Sequence, residues 1–132
     1  MTTTARAGVL PCHVEGNGPP LILFHGGMGS WTHWARNIPA LRGRFTVYAP
    51  DLPGCGDGPS VADDIAEDDY LALVCEAVAA IADVGPVDMA GFSFGGVIAA
   101  MVAARMPGVV KRLALLAPGG ARHDQALSLI HI

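Results

Sequence analysis

The segment GFSFG at residues 91–95 places Ser93 between two glycines, each two positions away. An apolar run at 87–90 precedes it, and a segment with helical spacing, 94–106, follows. A strand that leads at once into a helix needs a turn so tight that flanking side chains would collide, which explains both glycines. Such a turn strains the serine backbone and exposes its hydroxyl at the head of a helix, where the dipole favours developing negative charge. The pattern predicts a nucleophilic serine, and a purely structural turn is the alternative.

Two other glycine-rich loops follow apolar runs in the same way. The loop at 26–29 comes after the run 21–24, and the loop at 54–58 comes after the run 45–49. In a parallel sheet the carboxyl ends of the strands meet at one edge, where ligands bind. We therefore expect all three glycine loops to lie together at the functional edge.

The elements that would position these loops alternate along the chain. The apolar runs predict strands at 9–14, 21–24, 45–49, 87–90 and 109–117, and the longer periodic segments predict helices at 30–41, 62–84 and 94–106. Alternation of this kind is typical of right-handed crossovers on a parallel sheet. The fold class predicted is α/β, with a mostly parallel, doubly wound sheet.

Composition excludes several classes of protein. The chain has 132 residues, is 52% apolar and has a formal net charge of −4, so it is long enough for one domain and lacks the basic face that nucleic acid requires. The apolar, uncharged stretch 89–104 is shorter than the ~20 residues of a membrane span. Three scattered cysteines favour neither a disulfide framework nor a zinc site. With no signal-like segment, we expect a cytoplasmic protein. The oligomeric state is left open.

Three motifs in a fixed order resemble the α/β-hydrolase superfamily. They are HGGMGS at 25–30, APDLPGCG at 49–56 and GFSFG at 91–95, and the resemblance covers roughly residues 8–121. It implies that Ser93 is the nucleophile and that the backbone N–H groups of Gly27 and Phe94 form an oxyanion hole. The implied activity is hydrolysis of a small-molecule substrate, an ester or a related carbonyl compound, with no metal or cofactor.

Within that superfamily, two segments are similar to the meta-cleavage-product hydrolases, which break carbon–carbon bonds in ring-fission products. These segments are WARNIPAL at 34–41 and APDLPG at 49–54. Members with an aspartate nucleophile are disfavoured because Ser93 occupies that position. A binding protein that retains its serine and an inert fragment are the alternatives from other classes.

Other conspicuous residues have less specific interpretations. We expect His25 to have a positional role, and Asp51 to tie down its own glycine turn. Met28, Trp31 and Trp34 fit either an acyl pocket or packing of the first helix.

The partners of a serine nucleophile are hard to find in this chain. In the superfamily, the acid and the histidine follow the serine at the ends of later strands. The only acid and histidines after Ser93 are Asp124, His123 and His131. The order Ser93, Asp124, His131 fits, but the spacing leaves no room for the crossovers that separate those strands. As the alternative, Asp124 resembles the variant in which the acid follows the sixth strand. We therefore expect a sheet truncated after about the sixth strand, in which residues 1–126 form a partial hydrolase domain without a cap, inactive as it stands.

The last six residues resemble an artefact of DNA sequencing rather than a natural part of the protein. LSLIHI at 127–132 back-translates to a sequence that resembles a transposon end used in sequencing-library kits. This predicts a non-native tail, and His131 then has no role as a base. The alternative is an ordinary C-terminal strand.

Overall fold

A seven-stranded sheet forms the centre of the molecule. The computed structural model describes residues 2–117 and 129–131. The strands are β1 (Thr2–Ala7), β2 (Leu10–Gly16), β3 (Pro20–Phe24), β4 (Thr46–Pro50), β5 (Val87–Phe92), β6 (Val110–Leu116) and β7 (Leu129–His131). Their order across the sheet is β1-β2-β4-β3-β5-β6-β7.

The middle of the sheet is parallel, and its edges are antiparallel. Strand β3 pairs in parallel with β4 and β5, and β5 pairs in parallel with β6. The antiparallel pairs are β1 with β2, β2 with β4, and β6 with β7. The predicted α/β class with a mostly parallel sheet is confirmed, and β3 is a central strand.

The α-helices in the described part of the chain are α1 (Ile38–Leu41), α2 (Glu67–Ile81) and α3 (Phe94–Arg105). The predicted continuous helix over 30–41 is wrong. Ser30 caps a 3-10 helix at Trp31–Trp34, and α1 starts separately with Pro39 in its first turn. Within one continuous helix Pro39 would remove a hydrogen bond and clash with the preceding turn, so the helix is divided there.

The second helix is also shorter than the predicted span of 62–84. It starts at Glu67, and residues 62–65 form a turn closed by the Ile65 N–H and the Ala62 carbonyl, 3.0 Å apart. Asp63 and Asp64 therefore precede the helix, since aspartate competes for backbone hydrogen bonds in helix interiors. The end of the predicted span is a 3-10 turn, Ala82–Val84.

The core has one layer on each face of the sheet, as the alternation of strand side chains requires. In β3, Ile22 and Phe24 enter the larger layer beneath α2 and α3, while Leu21 and Leu23 enter a smaller layer with Trp34. Burial on both faces explains why β3 and β5 read as continuous apolar runs. In residues 2–117 and 129–131, no helix has the length and apolarity to cross a membrane.

Candidate active site

Ser93 lies between the last residue of β5 and the first residue of α3. Its φ and ψ angles are 55° and −119°, a region that L-residues rarely adopt and that costs about 1–3 kcal/mol. Its N–H donates to the Leu116 carbonyl at 2.9 Å, and its own carbonyl accepts from the Gly96 N–H at 2.8 Å. These bonds to β6 and α3 hold the serine in the strained turn, with its side chain half-buried.

The two glycines around Ser93 allow backbones to meet. A Cβ atom at Gly91 would overlap the Gly95 carbonyl, and a Cβ atom at Gly95 would overlap the Phe24 and His25 carbonyls. The first turn of α3 thus packs directly on the carboxyl ends of β5 and β3. Because first-turn amides have no intrahelical acceptor, the Phe94 N–H is left available at this edge.

The loop after β3 brings Gly27 beside Phe94. A Cβ atom built at Gly27 would lie 3.5 Å from the Cβ atom of Phe94. The next residue, Met28, has φ 61° and a fully exposed side chain. The structure therefore brings together the three residues that the sequence singled out, Ser93, Gly27 and Phe94.

His25 is buried at the start of this loop, and both of its ring nitrogens bind backbone. Its Nδ1–H donates to the Gly26 carbonyl at 2.7 Å, and its Nε2 accepts from the Leu52 N–H at 2.9 Å. Burial lowers the pKa of this imidazole, which keeps it neutral. With no nitrogen left to move a proton, His25 links the loop after β3 to the loop after β4, as its positional interpretation predicts.

Asp51 ties two segments together. Its Oδ2 accepts from the Asp57 N–H at 2.9 Å, which closes its own glycine turn, as expected. Its Oδ1 accepts from the Trp31 N–H at 2.8 Å, a contact that the sequence analysis missed. The carboxylate is 5% exposed and anchors the start of the 3-10 helix to β4.

His33, on that 3-10 helix, is a second residue that sequence reasoning missed. Its Nδ1 accepts from the Gly26 N–H at 3.0 Å. Its ring meets Phe92 edge-on, with centroids 6.0 Å apart. The bond spans seven positions and belongs to no motif, so no sequence signal could have identified it.

Apolar side chains surround the serine. Phe92 and Phe94 are 40% and 37% exposed on either side of it. A cavity of about 200 Å³ lies beside Phe92 and is also lined by His33, Trp34, Asn37 and Leu116. Trp34 thus both packs in the core and lines this cavity, whereas Trp31 stacks on His13 at 3.8 Å. The cavity thus combines apolar side chains with the polar groups of His33 and Asn37.

The acid and histidines that follow Ser93 in the sequence have no described side chains. Asp124 and His123 lie outside the described residues, and His131 ends β7, where its backbone is opposite Ala114. Among residues 2–117 and 129–131, no group of three or more histidine, cysteine or carboxylate side chains is placed to hold a metal ion.

Comparison with known proteins agrees with this geometry. A family model described as alpha/beta hydrolase fold matches residues 19–131. The pyrrolizixenacetamide deacetylase of Xenorhabdus hominickii is 38% identical over 104 residues, which are 78% of this chain and 39% of that protein. The 2-hydroxymuconate semialdehyde hydrolase of Pseudomonas sp. CF600 is 34% identical over 111 residues, 82% of this chain and 39% of that protein.

Among solved structures, a marine microorganism esterase superposes with a TM-score of 0.74 at 30% identity. The superposition covers 81% of this chain and 41% of the esterase. The chain therefore spans about 40% of the length of these relatives, which act on small molecules. The family model, the sheet order and the strand–helix junction at Ser93 agree, and the chain belongs to the α/β-hydrolase fold family.

Proposed function

We propose that this chain is the nucleophile-bearing part of a serine hydrolase that cleaves an ester or a related carbonyl compound. The observation that carries the proposal is the strained Ser93 at the head of α3, with the backbone of Gly27 packed against Phe94. Ser93 Oγ attacks the carbonyl carbon of the substrate, and the N–H groups of Phe94 and Gly27 bind the oxygen that becomes negative.

The oxyanion donors act through position rather than through proton transfer. The first turn of a helix presents free N–H groups and the positive end of the dipole, so charge on the substrate oxygen is stabilised as it develops. Removal of one such donor costs roughly 10²–10³ in kcat in a serine protease. In a trans peptide the Gly27 N–H points away from the Gly26 carbonyl, which is held by the His25 Nδ1–H at 2.7 Å.

The serine also needs a base, and the proposal places that base outside the described residues. Among residues 4–117, whose side chains the structure describes, Ser93 forms its hydrogen bonds through its backbone, and no hydrogen bond joins a histidine or a carboxylate to its hydroxyl. We therefore propose that residues 1–126 are the N-terminal part of a longer hydrolase, and that 127–132 are a non-native tail. The match to the Xenorhabdus hominickii deacetylase covers only 39% of that protein's length, which supports this proposal. The 132-residue chain should hydrolyse activated esters feebly or not at all.

A second candidate reaction is hydrolysis of a carbon–carbon bond in a ring-fission product. The 34% identity to the 2-hydroxymuconate semialdehyde hydrolase over 111 residues favours it. The two reactions share the nucleophile and the oxyanion hole, and differ in the leaving group. Turnover of a ring-fission product and of p-nitrophenyl esters by the same preparation would rank them.

Three free thiols favour the cytoplasm as the compartment of this enzyme. Cys12, Cys55 and Cys75 are unpaired, and unpaired cysteines are typical of reducing compartments. Burial raises the pKa of Cys12 to about 12, so this thiol stays protonated and unreactive.

The direct test compares Ser93→Ala with Ser60→Ala in the longer gene product. Ser60 is exposed in the loop before α2, so its substitution is the matched control. With p-nitrophenyl acetate, Ser93→Ala should lower kcat by more than about 10³-fold, as loss of a nucleophile does, while Ser60→Ala should be unchanged. Equal turnover by wild type and Ser93→Ala would overturn the serine mechanism. A wild type that binds the ester without turnover would instead favour a binding protein.

A pair of substitutions at Gly27 tests the oxyanion hole separately. Gly27→Pro removes the N–H group, whereas Gly27→Ala keeps it and places a Cβ at an ordinary contact distance of 3.5 Å from Phe94. We expect kcat to fall roughly 10²–10³-fold for proline and to stay near wild type for alanine. Equal kcat values for the two variants would exclude the Gly27 N–H as a donor.

A further inference from the structure

His33 is exposed, and one side of its ring packs against the loop that carries Gly27. A Cβ atom at Gly29 would overlap the ring, and one at Gly26 would lie 3.3 Å from its Cε1 atom. The glycines at both positions therefore let the loop close over the imidazole. The bond from the Gly26 N–H to His33 Nδ1, 3.0 Å long, fixes this arrangement.

Two histidines together hold both peptide groups of Gly26. Its N–H donates to His33 Nδ1, and its carbonyl accepts from the His25 Nδ1–H and from the Gly29 N–H, the latter at 3.2 Å. Because Nδ1 of His33 accepts, this ring carries its proton on Nε2. Glycine peptides have no side chains to limit their conformation, so the orientation of the loop depends on these bonds.

We propose that His33 is a positioning residue that sets the direction of the Gly27 N–H in the oxyanion hole. The inference rests on the proposed serine hydrolase function. Without the Nδ1 acceptor, the His25–Gly26 peptide loses this hydrogen bond. The Gly26–Gly27 peptide that follows is then held only by the bonds to its own carbonyl. His33 itself does not touch the reacting atoms and transfers no proton.

The neighbours of the ring agree with a positioning role. His33 meets His25 edge-on at a centroid distance of 5.9 Å and Phe92 at 6.0 Å. Phe92 directly precedes Ser93, so the same ring contacts the oxyanion loop and the turn that carries the nucleophile. Sub-ångström geometry matters at such a site, since a misplacement of 1 Å can cost about 10²-fold in rate.

The test uses His33→Ala and His33→Asn in the longer gene product, with Arg36→Ala as the control. Arg36 is exposed on the turn after the 3-10 helix and is outside the proposed site. Asparagine Oδ1 takes the place of Nδ1 as an acceptor for the Gly26 N–H, whereas alanine offers none. We expect His33→Ala to lower kcat by about 10–100-fold with little change in KM, because the lost interaction stabilises the transition state alone. His33→Asn and Arg36→Ala should both retain kcat within about threefold of wild type, as intact donor geometry requires.

A spectroscopic readout on the unmodified protein supports the kinetics. Long-range ¹H–¹⁵N correlation should show His33 in the Nε2–H tautomer, and this measurement stands even if His33→Ala fails to fold. A Nδ1–H tautomer would overturn the proposal, and so would unchanged kcat in His33→Ala. If His33→Asn loses as much activity as His33→Ala, the ring acts by proton transfer and the positioning role is wrong. Failure of the serine mechanism is recognised separately, by full activity of Ser93→Ala.

Discussion

Replacing Asp51 by asparagine changes one atom of a buried side chain and should destabilise the fold by about 2 kcal/mol. The carboxylate accepts from the Trp31 N–H at 2.8 Å and from the Asp57 N–H at 2.9 Å. A hydrogen bond to a charged group is worth about 1.5–3 kcal/mol. Asparagine keeps one acceptor oxygen, and its NH₂ group must then face the other N–H. Asp57 is exposed, so water replaces part of that bond and the loss stays near the lower end of the range.

Asp51→Ala removes both bonds and should cost about 3–4 kcal/mol. Simple addition of two such bonds gives about 3–6 kcal/mol, and removal of a buried charge returns part of that sum. The expected stability therefore decreases from wild type to Asp51→Asn to Asp51→Ala. Both variants should also lower kcat, because the Trp31 bond anchors the 3-10 helix that carries His33.

Urea unfolding of the longer gene product measures these differences as shifts in midpoint at constant m-value. Asp83→Asn, at an exposed position, is the matched control and should stay within about 0.5 kcal/mol of wild type. If the unfolding free energy of Asp51→Asn also stays within about 0.5 kcal/mol of wild type, the second hydrogen bond to the carboxylate contributes nothing to stability. An Asp51→Ala variant more stable than wild type would show that burying the carboxylate is a net cost.

Three further predictions concern packing, pH and association. Gly91→Ala forces a Cβ atom into the backbone of α3 and should lower the free energy of unfolding, measured by thermal unfolding, by about 1–3 kcal/mol. Gly43→Ala, with open space around the position, should be neutral or stabilising by up to about 1 kcal/mol. Hydrogen bonds from His13 and Arg42 lower the pKa of Glu15. The stability that the Glu15 carboxylate contributes is therefore present above the ordinary pKa of 4.5 and is lost as the pH falls through the lowered pKa. The difference in unfolding free energy between wild type and Glu15→Gln should close over the same pH range. The 132-residue chain should elute from size-exclusion chromatography as an associated species and unfold over a broad temperature range. The reason is a cavity of about 300 Å³ on the apolar face around Leu23. A monomer with one cooperative transition would contradict this prediction.

The buried strands were predictable because their apolar runs are continuous and end in glycine loops. Strands β3, β4 and β5 lie within a few residues of their predicted positions. Strand β1 was missed because TTTARA has neither an apolar run nor a regular alternation. It forms because it pairs with β2, and the local sequence does not encode this pairing.

The candidate site divides in the same way between local and distant information. The strained turn at Ser93 follows from glycines two residues away, so a local pattern reveals it. The bonds from Asp51 to Trp31 and from Gly26 to His33 depend on how the loops meet after the sheet has formed. No spacing rule encodes them, and only the three-dimensional arrangement shows that His33 supports the loop.

The position of β3 between β4 and β5 has a consequence for folding. Leu21 pairs with Asp88, 67 positions along the chain, so the pairing that joins Gly27 to Phe94 is strongly non-local. Contacts of high sequence separation form slowly because loop closure must precede any gain from pairing. During synthesis, which runs from the amino end, the loop that carries Gly27 therefore leaves the ribosome well before β5, the strand beside it in the sheet. We expect the site to assemble late, after β5 has inserted beside β3.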